Sequence, residues 1–239
     1  MFLYAIISTI VVSLISLVGI FFISLGKKID RIIILLIALA AGTFIGDAFF
    51  HLIPESLESL ESLTVFSIVI IGFVLFFFIE NFLFWHHHHS GLEEHPVSYL
   101  NIIGDGVHNF IDGVLIALSY LVSPIIGLTT TIAVIAHEIP QEIGDYAILI
   151  NGGFTRSKAL FFNFISALAA VIGALLGYFL IRETFISYLI PIVAGMFIYI
   201  GASDLVPELH REQNKIKSYL SIVFFLIGIV IMYGLLFLG

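Results

Sequence analysis

Two short segments combine histidine, carboxylate and amide side chains at spacings suited to a metal ion. They are HNFIDG at residues 108–113 and HEIPQE at residues 137–142. Each lies in an apolar run long enough to cross a membrane, where ionisable groups carry a large desolvation penalty and usually serve a function. Imidazole and carboxylate groups are common ligands of divalent transition metals. The two segments together therefore predict a path for a divalent cation.

Helical geometry places the polar side chains of each segment on one face. At about 100° per residue, Asp112 lies about 40° and Asp105 about 60° from His108, with Asn101 and Asn109 on the same side. The same calculation groups the polar residues of the next helix, which are His137, Glu138, Gln141, Glu142 and Asp145. If the two helices are antiparallel neighbours, both faces meet near the midplane. Asp105 and Asp145 then both lie toward the cytoplasmic end, as an exit requires.

A polar seam that only joins the two helices by hydrogen bonds is the alternative. Such a seam favours Ser, Thr, Asn or Gln, with one or two carboxylates at most. Asp112, Glu138 and Glu142 each cost roughly 3 kcal/mol at mid-membrane. Because basic side chains are scarce in these runs, a cation is the natural counter-charge. Pro140 exposes a backbone carbonyl, as transporter sites do, although a packing kink explains it equally well.

The composition predicts an integral membrane protein. The chain has 239 residues, of which 60% are hydrophobic and 11% charged, and its mean hydropathy is +1.17. The bilayer is the solvent that fits so much apolar surface. The absence of cysteine excludes disulfides and thiolate metal sites. Basic nucleic-acid patches and a P-loop are also missing, which argues against nucleic-acid partners and ATP-driven pumping.

We predict an all-α fold with one transmembrane transporter domain over residues 1–239. The eight predicted spans are 2–25, 31–52, 63–85, 98–120, 125–150, 158–181, 185–206 and 217–238. The first run lacks a basic leader and a cleavage pattern, so we interpret it as a spanning helix rather than a signal peptide. A His-rich loop at about residues 86–96 joins the third and fourth spans.

The basic residues predict the orientation. Connections 1–2, 5–6 and 7–8 hold Lys27, Lys28, Arg31, Arg156, Lys158, Arg211, Lys215 and Lys217. Only Arg182 lies on the opposite side. The positive-inside rule therefore places these connections in the cytoplasm and both termini outside it. We expect a multi-pass protein of the cell (inner) membrane, with the His-rich loop in the cytoplasm.

Helices 2 and 7 end in similar motifs, HLIPE at 51–55 and DLVPE at 204–208. Because these helices run in opposite directions, the match predicts an inverted repeat of helices 1–3 and 6–8 around helices 4 and 5. A chance match of five residues is the alternative. Near the outer face, Asp47 and His51 can guide the cation in, and at the inner end Asp204 and Glu208 can guide it out. Solvated helix ends explain these four residues almost as well.

The tract His86–His89, followed by Glu93, Glu94 and His95, is typical of a metal-attracting segment. Our hypothesis is that it takes up or senses metal released into the cytoplasm. A variable and dispensable loop is the alternative.

The motifs HNFIDG and HEIPQEIGD resemble those of the ZIP (Zrt/Irt-like) divalent metal transporter family. GDAFFHLIPE on helix 2 and DLVPELH on helix 7 also resemble family motifs, so the likeness extends from about residue 30 to 215. It implies eight helices, movement of zinc or another divalent metal into the cytoplasm, and often a homodimer. It also implies two neighbouring metal sites. The first comprises His108, Asp112, His137 and Gln141, and the second comprises Asn109, Glu138 and the shared Asp112, with Glu142 assisting.

Two departures from the family pattern weaken the second site. Many relatives carry His or Glu where this chain has Gln141, a neutral ligand. Some relatives also supply a carboxylate from helix 6, but the matching stretch ISALAA at residues 165–170 has none. We therefore expect the second site to bind metal weakly or transiently.

Zinc is the expected transported ion, because imidazole with carboxylate suits Zn²⁺, Fe²⁺ and Mn²⁺ and the family favours zinc. We expect no catalytic cofactor and no enzymatic activity. A membrane-embedded zinc hydrolase with Glu138 as base is one alternative, but the second His of an HExxH motif is replaced by Gln141. A metal-selective channel or a sensor with the same site is the other. The expected partners are the metal ion, the lipid membrane and a second copy of the chain.

Overall fold

A computed structural model describes residues 1–19, 29–90, 95–180 and 183–237. These residues form helices joined by short turns, and no strand occurs among them. Several residues used in the sequence predictions lie outside the described set. They are Lys27, Lys28, Arg182, Glu93 and Glu94, together with the side chains of Arg31 and His86–His89.

The helices follow one another along the chain as α1 to α8. Helix α1 is Phe2–Ile15 with a 3₁₀ turn at Ser16–Val18; α2 is Ile29–Asp47, continued by a π-helical turn at Ala48–Leu52 and by Ile53–Ser59; α3 is Ser62–Ser90; α4 is Pro96–Val122. Helix α5 is Pro124–Asn151; α6 is Arg156–Ala167 and Ala169–Phe179; α7 is Glu183–Tyr199, a π-helical turn at Ile200–Leu205 and Val206–His210; α8 is Lys215–Leu235.

Six of these helices are long and apolar enough to cross a membrane. Their candidate spans are Ile32–Ser59, Ser62–Phe82, Val97–Val122, Arg156–Phe179, Ile186–His210 and Lys215–Leu235. The described part of α1, Phe2–Val18, is apolar but shorter. Helix α5 has 28 residues, but its polar side chains lower its hydropathy, and it is not among these six spans.

Three predicted helix ends, and the continuity of one helix, need correction. Helix α2 continues through Pro54 to Ser59, and α7 continues through Pro207 to His210, where the sequence predicted connections. Each proline follows a π-helical turn, whose wider backbone accommodates the missing N–H donor. Helix α3 continues to Ser90, so the first part of the predicted His-rich loop is helical backbone. Helix α6 is divided at Leu168 rather than continuous.

Helices α4 and α5 are joined by Ser123 alone, which ends α4 and caps α5 by accepting a hydrogen bond from the Ile126 N–H. This tight turn makes them antiparallel neighbours. Around them, α6 packs on α4, α1 on α5 and α6, α2 on α8, and α3 on α7. The α4–α6 contact is very close, since a Cβ added at Gly113 would lie 1.9 Å from the Ala170 carbonyl oxygen.

Candidate metal site

Four side chains from α4 and α5 converge at the centre of the bundle. Each of His108, Asp112, His137 and Glu138 offers one ligand atom, and these four atoms all lie within 4.8 Å of one another. His137 Nε2 lies 3.1 Å from Asp112 Oδ2, and His108 Nε2 lies 3.5 Å both from Asp112 Oδ2 and from Glu138 Oε1. Zinc–ligand bonds of about 2.0–2.2 Å set tetrahedral ligand atoms about 3.4 Å apart. The spacing of this four-residue cluster therefore suits a small dication.

The two helices position these groups in different ways. His108 and Asp112 are four residues apart, so they lie one above the other on a single face of α4. His137 and Glu138 are adjacent on α5, just before Pro140. Because Pro140 has no N–H, the Ala136 carbonyl loses its intrahelical partner, which loosens the helix beside the cluster.

Burial leaves part of the cluster without hydrogen bonds. His108 is 2% exposed and Glu138 is 1% exposed. Neither His108 Nε2 nor Glu138 Oε1 has a hydrogen-bond partner within the described residues. Unpaired buried polar atoms are costly and need an explanation. A seam of interhelical hydrogen bonds would pair them, whereas a metal path needs such atoms available as ligands.

The remaining residues predicted on α4 and α5 lie beside the cluster or deeper along the same faces. Asn109 donates from Nδ2 to Asp105 Oδ1 at 2.7 Å, which leaves its own Oδ1 without a partner. Gln141 is buried, and its Nε2 has no partner. Asp145 Oδ1 accepts from Asn101 Nδ2 at 3.0 Å. Glu142 bonds to α6 instead of joining the four-residue cluster.

A cavity of about 270 Å³ reaches the cluster from one end of the bundle. We call it the upper cavity. Its ionisable lining residues are Asp47, His51, Glu55, His108, Asp112 and His137. His51 Nδ1 lies 3.1 Å from Asp47 Oδ1, and the rings of His51 and His137 are 6.5 Å apart. The predicted guiding residues of helix 2 thus line the approach to the cluster.

A second cavity of about 400 Å³, the lower cavity, opens at the other end. Its ionisable lining residues are Glu80, His95, Asp204, Glu208 and Arg211. The helix 7 residues predicted for an exit therefore line this cavity, and Arg211 Nη1 donates to Glu208 Oε2 at 2.9 Å. Tyr199 donates a hydrogen bond to Glu80. The two cavities have no lining residue in common.

Three polar residues of these surroundings were missed by the sequence reasoning. Glu80 carried a usable signal, because it is an isolated carboxylate in the apolar run of helix 3. Asn163 and Ser166 of α6 carried almost none, since neutral polar residues are ordinary in membrane helices. The structure places them in contact with Glu142 and Asp105.

A family model and several known proteins match most of the chain. The family model described as "ZIP Zinc transporter" matches residues 1–98 and 85–236. The "Metal cation symporter ZIP14" of Xenopus tropicalis is 30% identical, over 89% of this chain and 62% of the relative. The "Zinc transporter ZIP13" of Pongo abelii is 31% identical, over 82% of this chain and 65% of the relative. The "Zinc transporter YKE4" of Saccharomyces cerevisiae is 29% identical, over 95% of this chain and 79% of the relative.

The matches to ZIP14 and ZIP13 span slightly less than two thirds of those relatives. The family model, in contrast, matches nearly the whole chain. The matched residues include α4 and α5 with their four-residue cluster and both cavities. This chain belongs to the ZIP zinc transporter family.

Proposed function

We propose that this protein carries zinc, or a similar divalent metal such as Fe²⁺ or Mn²⁺, across the membrane into the cytoplasm without ATP. The observation that carries the proposal is the convergence of four ligand atoms within 4.8 Å, beside the upper cavity. Relatives named as zinc transporters and as a metal cation symporter support both zinc and a wider range of metals.

His108, Asp112, His137 and Glu138 are the proposed ligands of the first ion. Two imidazoles with two carboxylates form a ligand set that suits Zn²⁺, and Fe²⁺ or Mn²⁺ as well. Because Glu138 Oε1 is 3.5 Å from His108 Nε2, we assign Glu138 to this first site. Asn109 and Gln141 are proposed as neutral ligands of a neighbouring, weaker position, from which an ion leaves easily.

The proposed architecture is eight membrane-spanning helices with an inverted repeat. The two π-helical turns support the repeat, because Ala48–Leu52 and Ile200–Leu205 both precede a Pro-Glu pair. The packing of α2 on α8 also mirrors that of α7 on α3. In each contact a glycine permits close approach. Added Cβ atoms at Gly42 and Gly195 would lie 2.1 Å and 2.0 Å from facing carbonyl oxygens.

The direction follows from the described charges. Arg211 lines the lower cavity, and Lys215 and Lys217 follow at the start of α8. The positive-inside rule places this end in the cytoplasm and both termini on the opposite side of the membrane. The ion then enters from the upper cavity and leaves through the lower one, past Asp204 and Glu208.

A carrier fits the cavities better than an open channel. The upper cavity reaches His108 and His137, while Asn101, Asp105 and Asp145 beneath them are buried. An ion bound at the cluster therefore has access from one end, and a structural change must open the other end. Access that alternates between the two sides of the membrane is the general plan of secondary transporters.

Uptake by liposomes that contain the purified chain tests the proposal. We expect saturable Zn²⁺ uptake without ATP, abolished by His108→Ala and by His137→Ala. Ser8→Ala is the matched control, because it removes a buried hydrogen bond to Tyr120 outside the site. Full uptake by both histidine variants would refute the site, and non-saturating flux would indicate a channel. The homodimer implied by the family is part of the proposal, and the mass of the protein in detergent measures it.

A further inference from the structure

A second polar layer lies beneath the four-residue cluster. Its members are Asn101 and Asp105 of α4, and Glu142 and Asp145 of α5, each at most 4% exposed. Asn101 Nδ2 donates to Asp145 Oδ1 at 3.0 Å, and Asn109 Nδ2 donates to Asp105 Oδ1 at 2.7 Å. Hydrogen bonds therefore join this lower layer across the α4–α5 contact and connect it to Asn109 beside the cluster above.

Helix α6 holds two of these carboxylates in place. The Ser166 hydroxyl donates to Asp105 Oδ2, and Asn163 Nδ2 donates to Glu142 Oε2. Asn163 and Ser166 are three residues apart, so they share one face of α6. A side chain as short as serine reaches Asp105 because α4 and α6 pack so closely. A Cβ added at Gly173 of α6 would lie 2.0 Å from the Phe110 carbonyl oxygen of α4.

The donor groups that reach the lower layer are already used in hydrogen bonds, but several of its oxygen acceptors have no partner. The amide groups of Asn101 and Asn163, and the Ser166 hydroxyl, already donate to carboxylates. Asn101 Oδ1, Glu142 Oε1 and Asp145 Oδ2 are buried and have no partner. Because all three are oxygen acceptors, a cation, added protons or the O–H groups of water can satisfy them.

We propose that Asp105, Glu142 and Asp145, with the amide oxygen of Asn101, form a second stop for the cation on its way to the lower cavity. Asn163 and Ser166 are positioning residues: Asn163 holds Glu142 by one oxygen and leaves its Oε1 free, and Ser166 holds the Asp105 carboxylate in place. The proposal rests on the proposed transport function and extends it. It also gives α6 a role in this chain, although α6 brings no carboxylate.

The ligand chemistry of this stop differs from that of the cluster above. It offers oxygen ligands alone, which suit harder dications such as Mn²⁺ at least as well as zinc. Among the described residues, the four-residue cluster is the one group of three or more His, Asp or Glu whose ligand atoms meet within 4.8 Å. An ion in the lower layer therefore keeps part of its water shell, and is held loosely enough to move on.

Titration of the purified chain in detergent with Zn²⁺ alone tests this stop. We expect two ions per chain. Ser166→Ala and Asn163→Ala should lower the affinity for one of the ions about 10–100-fold, which is the usual effect of removing a group that orients a ligand. Ser166→Thr keeps the hydroxyl and should restore binding. His108→Ala should remove the other ion and leave this one in place. Ser8→Ala serves as the control for loss of a buried hydrogen bond.

The outcomes separate this inference from the proposed function. One ion per chain with saturable uptake would overturn the second stop and leave transport standing. Two ions per chain, one of them weakened by Ser166→Ala, without uptake would support the stop and contradict transport. Equal weakening of both ions by Ser166→Ala, as by a general loss of structure, would overturn the positioning role.

Discussion

The imidazole Nε2 of His137 on α5 lies 3.1 Å from the carboxylate Oδ2 of Asp112 on α4. The same oxygen lies 3.5 Å from His108 Nε2. Asp112 is thus the common neighbour of both histidines, and it joins the two central helices. A dication bound there would replace weak contacts between ligand atoms with coordination bonds, so Asp112 should contribute more to binding than its neighbours.

Asp112→Asn removes the charge but keeps the size of this side chain. We expect Zn²⁺ affinity to fall by more than about 100-fold, because loss of a direct ligand should exceed the effect of losing an orienting group. Equilibrium binding to the purified protein measures the change. Glu61→Gln removes an exposed charge outside the site and should leave affinity unchanged. An Asp112→Asn protein with native affinity would contradict the ligand assignment.

His51→Ala should impair capture of the ion more than its translocation. His51 lines the upper cavity 6.5 Å from the His137 ring, centroid to centroid, and contacts Asp47. We expect a higher zinc concentration at half-maximal uptake with a nearly unchanged maximal rate. Ser119 lines the same cavity without a charge, so Ser119→Ala is the matched control. If both variants behave alike, His51 has no specific role in capture.

Single cysteines can establish on which side each cavity opens. The natural chain has no cysteine, so an introduced thiol is labelled without background. We expect Thr130→Cys in the upper cavity and Ser203→Cys in the lower cavity to react with a membrane-impermeant thiol reagent from opposite sides. Mass spectrometry after labelling of intact and inverted vesicles measures this. Reaction of both from one side would refute the proposed path.

Gly195→Ala should destabilise the contact between α7 and α3. The added Cβ would lie 2.0 Å from the Val69 carbonyl oxygen, which belongs to rigid helical backbone. Overpacking of this kind costs about 1–3 kcal/mol, so thermal unfolding in detergent should begin at a lower temperature. Gly234→Ala is the control, since nothing lies within 4 Å of its added Cβ. It should be neutral or slightly stabilising, and equal losses in both variants would contradict the packing argument.

Helical periodicity was sufficient to predict the faces that meet at the centre of the bundle. It places His108 with Asp112 and puts His137, Glu138 and Gln141 on one face, and the single-residue turn at Ser123 brings the two faces together. The spacing of ligand types therefore anticipates the cluster, because α4 and α5 are regular where these residues lie. Periodicity could not show that Glu138 Oε1 lies 3.5 Å from His108 Nε2, since that distance depends on the relative rotation of two helices.

Features that depend on packing between distant segments were not predictable. The predicted helix ends at residues 52 and 206 were wrong. A proline follows each of them and usually breaks a helix, and the π-helical turns that accommodate Pro54 and Pro207 leave no sequence signal. Ser166 was passed over for a similar reason. Its contact with Asp105 depends on the close α4–α6 approach, which requires glycines at residues 113 and 173 in different helices.

The excess of buried acceptors over donors has a consequence for the lifetime of the protein. A group that is unsatisfied in the empty state and satisfied in the loaded state makes the loaded fold the more stable one. Binding stabilises a fold by RT ln(1 + [L]/Kd), which is about 2.7 kcal/mol at an ion concentration of 100 times Kd. We therefore expect chelation to lower the melting temperature. When metal is scarce, degradation of the protein should therefore be faster, because its metal-free fold is less stable.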